Sequence, residues 1–233
     1  MKKIPMEERL IVALDVSNID EAQKLVECLD GTVSFFKIGL ALQLVAGLDL
    51  VKWLIDKEKK VFLDYKYFDV EETIKQAVSQ VASIGVNFLT VHGNKRIIKA
   101  AVEGKGKSDL KILSVTVLTS LDAFDLQELG FTGSVEELVL HRAKSALEAG
   151  CDGVIASGRE AQAIRKVCQN GFLIVTPGIR PDGTEIGDQK RHVTPAQAIK
   201  DGADYLVVGR PIRNAENPRL AAESIINEMK SAI

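Results

Sequence analysis

The chain has 233 residues, 46% of them hydrophobic, with 30 Lys and Arg against 32 Asp and Glu. That apolar content excludes a disordered polymer and is enough to bury a sizeable core. The formal net charge of −2 excludes a general nucleic-acid binder, which needs surplus Lys and Arg to offset phosphates.

Short apolar runs alternate with longer amphipathic ones. Residues 10–16 form the first strand-like run, and 19–29 follow with Ala22, Leu25, Val26 and Leu29 at the spacing of one helical face. Strands are expected at 33–39 and 60–66, then a helix at 70–84 carrying Ile74, Ala77, Val78, Val81 and Ile84 on one side. Two more strands, 87–92 and 111–117, lead into a long stretch at 121–134 that contains Gly130 and Gly133 and reads as a loop. A helix at 136–149, a strand at 152–157, a helix at 160–168 and a strand at 172–176 come next. A long polar stretch, 180–193, precedes a short helix at 195–201, the eighth strand at 205–209 and a closing helix at 218–233.

Near-continuous apolar strands separated by helices imply a parallel sheet covered by helices. Eight repeats favour an α/β fold of the (β/α)8 TIM-barrel type, and the first strand-to-helix turn lacks the G-x-G-x-x-G of a dinucleotide fold. No linker or low-complexity tract divides the chain, so one catalytic domain over residues 1–233 is expected. The first ten residues are polar and lack the apolar centre of a secretory signal, and no apolar run is long enough to span a bilayer. Cys28, Cys151 and Cys168 are widely spaced with no C-x-x-C pair, which fits small buried hydrophobes in a reducing compartment. A soluble cytoplasmic protein that binds neither membrane nor nucleic acid is expected.

In such barrels the active site lies where the strands end. The polar residues there are Asp15, Lys37, Asp64, Lys66, His92, Thr116 and Thr119, with Arg180 and Arg210 just beyond strands seven and eight. A charge in a buried strand is costly unless paired. Asp64 and Lys66 are two apart and so face the same way on a regular strand, and Lys37 comes from the neighbouring strand. One such residue would most simply be an ion pair closing the barrel end; three together, with Asp69 close behind, point to chemistry. His92 alone reads equally well as a hydrogen-bonded core histidine, and three dispersed histidines make no metal site.

A second signal is Thr176-Pro-Gly-Ile-Arg180, followed by Val207-Val-Gly-Arg-Pro211. Barrels commonly hold a phosphate after strands seven and eight. Gly209 lets the backbone approach a ligand, Arg210 can clamp an anion, and Pro211 suits the first turn of a short helix. The residues alone therefore indicate a barrel enzyme acting on a small phosphorylated compound. A Mg2+-dependent sugar-phosphate lyase and a non-catalytic phosphate sensor remain open at this point; the intact lysine array speaks against the sensor.

Asp64-Tyr-Lys66-Tyr-Phe-Asp69 is a D-x-K-x-x-D motif. With Lys37 it resembles the catalytic array of the orotidine 5′-monophosphate decarboxylases. The resemblance extends through residues 11–15, Thr90-Val-His-Gly93, residues 115–120, Thr176-Pro-Gly-Ile-Arg-Pro181, Gly187-Asp-Gln189 and Val208-Gly-Arg-Pro211. It implies release of CO2 from C6 of orotidine 5′-monophosphate, giving UMP with no metal or organic cofactor. Lys66 would stabilise and protonate C6, Asp64 would lie near the leaving carboxylate, and Lys37 and Asp69 would hold the array in register. Asp15 and Lys37 would hold the ribose, Thr119 and Ser120 the pyrimidine edge, and Arg180, Gln189, Gly209 and Arg210 the phosphate. Asp69 and Thr73 would reach the partner's site in a homodimer with shared active sites. The stretch from Arg180 to Val193 would close over bound ligand. Many bacterial members continue Ile-Pro-Asn-Thr after the motif, whereas this chain has Val70-Glu-Glu-Thr73; acids in a first helical turn are favourable, so the helix start is expected to tolerate them.

Overall fold

The computed structural model describes residues 4–168, 171–181 and 191–232. Eight parallel strands close into a barrel in sequence order, as the alternation of runs implies. They are β1 (Leu10–Ala13), β2 (Phe35–Gly39), β3 (Lys60–Tyr67), β4 (Phe88–Val91), β5 (Lys111–Val115), β6 (Gly153–Ile155), β7 (Leu173–Thr176) and β8 (Tyr205–Val208). β8 returns to pair with β1, with Leu206 opposite Leu10.

The helices outside are α1 (Ile19–Cys28), α2 (Leu40–Ala46), α3 (Asp49–Asp56), α4 (Glu71–Ile84), α5 (Lys95–Lys105) and α6 (Ala123–Glu128). They continue with α7 (Val135–Glu148), α8 (Gly158–Val167), α9 (Pro195–Lys200), α10 (Arg210–Arg213) and α11 (Pro218–Lys230). Side-chain caps start several of them: Asn18 for α1, Asn94 for α5, Ser134 for α7 and Asn217 for α11. The expected loop at 121–134 instead contains α6. Asp122 and Asp125 form a reciprocal cap there, satisfying donors that would otherwise be orphaned.

The strand period of two divides the core. Leu10, Val12, Phe36, Ile38, Val61 and Leu63 point outward and pack under the helices. Ile11, Ala13, Phe35, Phe62, Phe88, Val175 and Val207 point inward and fill the barrel. Phe35 and Phe88 meet edge-to-face at 4.9 Å between centroids, and Phe88 meets Tyr205 at 5.0 Å. Continuing each inward row toward the carboxyl end predicts what stands above this aromatic floor. Ala13 leads to Asp15, Phe35 to Lys37, Phe62 to Asp64, Phe88 to Thr90 and Val207 to Gly209.

Candidate active site

Those inward rows end at a cavity of about 540 Å³ in the barrel mouth. One wall carries Asp15, Lys37, Asp64 and Lys66; the opposite wall carries Thr119, Ser120, Arg180, Gly209 and Arg210. The structure thus gathers nine of the expected site residues around one space.

The charged wall alternates in sign. Lys37 Nζ lies 3.1 Å from Asp15 Oδ1 and 3.5 Å from Asp64 Oδ2, and Lys66 Nζ lies 2.8 Å from Asp64 Oδ1. Lys37 is buried, so its two carboxylate neighbours offset the desolvation of its ammonium. Gly39 makes room for this arrangement: a Cβ there would stand 3.1 Å from Asp15 Oδ1 and 3.4 Å from Lys37 Nζ. Burial raises the Asp64 carboxyl, but Lys37, Lys66 and the Thr90 hydroxyl together bring it below the ordinary aspartate value.

Lys66 reaches Asp64 by a route that a regular strand would not provide. Leu63 is opposite Leu89 and Tyr67 opposite Val91, so β3 spends four steps where β4 spends two. Lys66 sits in this bulge with φ +50°, a left-handed conformation uncommon for a side chain with a Cβ. Thr90, fully buried on β4, bridges the bulge. Its Oγ1 accepts from the Lys66 amide at 2.9 Å and donates to Asp64 Oδ1 at 3.0 Å. Asp64 and Lys66 therefore meet as expected, but a bulge and a threonine bring them together, not the parity of a regular strand.

The second wall is braced from behind. Arg180 is buried, its amide donates to Val193 O at 2.9 Å, and its guanidinium donates to Ile179 O at 2.7 Å. Arg213 also lines the cavity and donates to the Asp15 carbonyl, tying α10 to the end of β1. Arg191 is buried and bonds Glu160 and the carbonyls of Val117 and Leu118. Sequence reading missed Thr90, Arg191 and Arg213 as site residues. The inward parity of Phe88 and Thr90 could have found the first; the two arginines carry no local signal, since their partners are carbonyls and carboxylates far away in sequence.

Other expected residues lie elsewhere. Asp69 is exposed, with Oδ1 accepting from the Val70 amide at 2.6 Å, and Thr73 is exposed on the first turn of α4. Neither lines this chain's cavity. Gln189 and most of the 180–193 stretch lie outside the described residues. The Thr116 hydroxyl donates to Ile155 O at 2.8 Å and so braces two strands. His92 borders a second cavity of about 650 Å³, which it shares with Lys66, Phe68, Phe131 and Arg142; burial, then Arg142 and Lys66, lower its pKa. Glu71 pairs with Arg96 at 2.7 Å and Glu72 accepts from Gln76 at 2.9 Å, so neither acid turns into the barrel mouth. Among the described residues no group of three His, Cys, Asp or Glu is placed to hold a metal ion.

Residues 8–225 match the model of the orotidine 5′-phosphate decarboxylase / HUMPS family. The chain is 57% identical to an orotidine 5′-phosphate decarboxylase of Nitrobacter winogradskyi over 226 residues, covering 97% of this chain and 94% of that one. It is 52% identical to one of Methylococcus capsulatus over 224 residues, covering 95% and 92% respectively. The crystal structure of orotidine 5′-phosphate decarboxylase from Lactobacillus acidophilus is similar with a TM-score of 0.84 at 36% identity, over 95% of this chain and 99% of that one.

Proposed function

We infer the roles of the site residues from one premise: the chain belongs to the orotidine 5′-phosphate decarboxylase / HUMPS family, and it decarboxylates orotidine 5′-phosphate to UMP and CO2. The observation that carries these roles is the alternating row Asp15, Lys37, Asp64, Lys66, standing on an apolar floor at the barrel mouth.

Breaking the bond from C6 to the carboxylate leaves an electron pair on C6. A cation already fixed beside that carbon stabilises it without reorganising at the moment of reaction. Lys66 is that cation. Its Nζ–H then protonates C6, and the amine regains a proton from solvent. Asp64, kept ionised by its two lysines, lies beside the substrate carboxylate and repels it; the repulsion is relieved as CO2 leaves. Lys37 holds Asp64 in place and, with Asp15, faces the ribose hydroxyls. Thr119 and Ser120 read the pyrimidine edge. Arg180, Gly209 and Arg210 grip the phosphate, with Gln189 assigned to the same task by family resemblance. The phosphate is remote from C6, yet its binding energy lowers the barrier if it fixes orientation.

The working unit is a homodimer with shared sites, in which Asp69 and Thr73 serve the partner. Their distance from their own cavity supports this, as do Phe68 and Val70, both 69% exposed on either side of Asp69. Mixing Lys66→Ala with Asp69→Ala, each inactive alone, is expected to restore activity, since some mixed dimers carry one site with both residues intact. A mixture as inactive as its components rejects shared sites. Three unpaired thiols support a reducing compartment and thus a cytoplasmic enzyme. No described helix is long and apolar enough to cross a membrane, and the charge balance argues against nucleic acid as a partner.

The decisive assay is ultraviolet absorbance with orotidine 5′-monophosphate in EDTA. Loss of substrate absorbance with UMP as product is expected. A folded protein that turns over only with added Mg2+ and a sugar phosphate would overturn the assignment.

A further inference from the structure

Behind the cavity, Arg191 contacts two separate segments. Its guanidinium bonds Glu160 Oε1 at 2.7 Å in the first turn of α8, and Val117 O and Leu118 O at 3.0 and 2.9 Å just past β5. Its own carbonyl accepts from the buried Ser157 hydroxyl at 3.1 Å. Both members of the charge pair are less than a tenth exposed. Two residues on, Val193 accepts the Arg180 amide at 2.9 Å and forms a parallel bridge with Ile179. Val193 also packs against the start of α8, where a Cβ on Gly158 would come within 2.3 Å of it. Only glycine at position 158 permits that approach.

The consequence is a rigid link between two places that the reaction must coordinate. Leu118 immediately precedes Thr119 and Ser120, assigned above to the pyrimidine edge. Arg180, assigned above to the phosphate, hangs from Val193. Arg191 holds the first through its side chain and stands two residues before Val193, whose carbonyl holds the second. A fork of five donors suits this duty; a lysine ammonium could not serve a carboxylate and two carbonyls with the same planar geometry.

We propose that Arg191, clamped by Glu160, is a positioning residue that couples the phosphate wall to the pyrimidine wall, so that gripping one end of the nucleotide fixes the other. The proposal rests on the assignments of Arg180 and Ser120 made above. Arg191 touches no substrate in this role; it acts through Arg180 and through the Thr119–Ser120 backbone.

The test is a double-mutant cycle on UMP affinity, measured by calorimetry with Arg180→Ala, Ser120→Ala and the pair, in the parent and in an Arg191→Lys background. Lysine keeps a cation beside the buried Glu160, which limits the loss of stability. In the parent, the combined loss should differ from the product of the single losses by about fivefold or more. In the Arg191→Lys background, the two losses should multiply to within about twofold. An Arg191 that only stabilises the fold would lower the melting temperature and leave the coupling as it was; equal coupling in both backgrounds, or none in the parent, overturns the proposal. If Arg191→Lys fails to fold, Glu160→Gln with Arg191→Met removes both buried charges together and carries the same expectation. The phosphate assignment and the coupling fail differently. If Arg180→Ala leaves UMP affinity unchanged, the phosphate assignment falls and the coupling with it. If Arg180→Ala weakens UMP while Arg191→Lys leaves the coupling intact, only the coupling falls.

Discussion

The two walls of the cavity hold their polar groups in different ways. On the β1–β4 side, charged side chains satisfy one another: Asp15, Lys37, Asp64 and Lys66 form a row of ion pairs with Thr90 wedged behind it. On the β5–β8 side, the polar groups facing the cavity come from loops and from α10, and arginines tie these segments to main-chain carbonyls. The first wall is therefore set before any ligand arrives, which is what stabilising a developing charge requires. The second is built to grip, using forked donors on segments that can adjust. On the proposed roles, one wall does chemistry and the other spends binding energy on orientation.

The largest expected effect separates them directly. Lys66→Ala removes the cation proposed to stand beside C6 and should lower kcat by roughly 10³-fold or more, while UMP still binds, because the proposed grip is untouched. Arg180→Ala should act the other way round, weakening UMP binding by roughly 10- to 100-fold, the worth of a charged hydrogen bond. Single-turnover kinetics and calorimetry on the two variants check both halves. If Lys66→Ala loses UMP affinity as heavily as turnover, the division of labour between the walls fails.

How legible each wall was in the sequence follows from the same difference. Apolar runs and their spacing carried the barrel, because burial of alternate residues is a local pattern; the carboxyl-terminal charges then fell at its mouth. Asp64 and Lys66 were readable as a pair because they are close in sequence, whereas Asp69, three residues on, lies outside this chain's cavity. The bulge at Lys66 was not readable, since it depends on the register between β3 and β4 and on a threonine 24 residues away. The braces were invisible for the same reason: Arg191 and its contact Leu118 are 73 residues apart, and Arg213 and Asp15 are 198 apart. α2 and α3, seven and eight residues long, are too short for an apolar face to recur, and α5 was not read although it too has a buried apolar face. α6 was hidden by Gly130 and Gly133, which follow it and mark turns but do not preclude a capped helix just before them.

A smaller effect sharpens the idea that the first wall is preorganised. Thr90→Val keeps the shape of the side chain but removes the hydroxyl that serves both the Lys66 amide and Asp64. The left-handed backbone at Lys66 costs about 1–3 kcal/mol and persists only while its surroundings hold it. We expect kcat to fall about tenfold, with KM little changed, and Thr90→Ser to restore most of the loss by returning the hydroxyl. A change in KM with kcat preserved would mean that Thr90 serves ligand binding and leaves the array alone.

The smallest effect concerns stability. Asp64 is partly buried, which raises its carboxyl, but Lys37 and Lys66 outweigh that and bring it below the ordinary 3.8. A carboxyl depressed on folding binds its proton less readily in the native state than in the unfolded chain, so its ionised form contributes stability at neutral pH. That contribution is complete above the ordinary aspartate value and is lost as pH falls through the depressed one. Asp64→Asn lacks it at every pH, while most other carboxylates titrate alike in both proteins and cancel in the difference. The gap in unfolding free energy between parent and Asp64→Asn should therefore hold steady from neutral pH to about pH 5 and then narrow on further acidification. Denaturant titrations across that range measure it. A gap that stays constant into the acid limit would mean that Asp64 is not an ionised partner of the two lysines, and the charged wall would then need its ligand to assemble it.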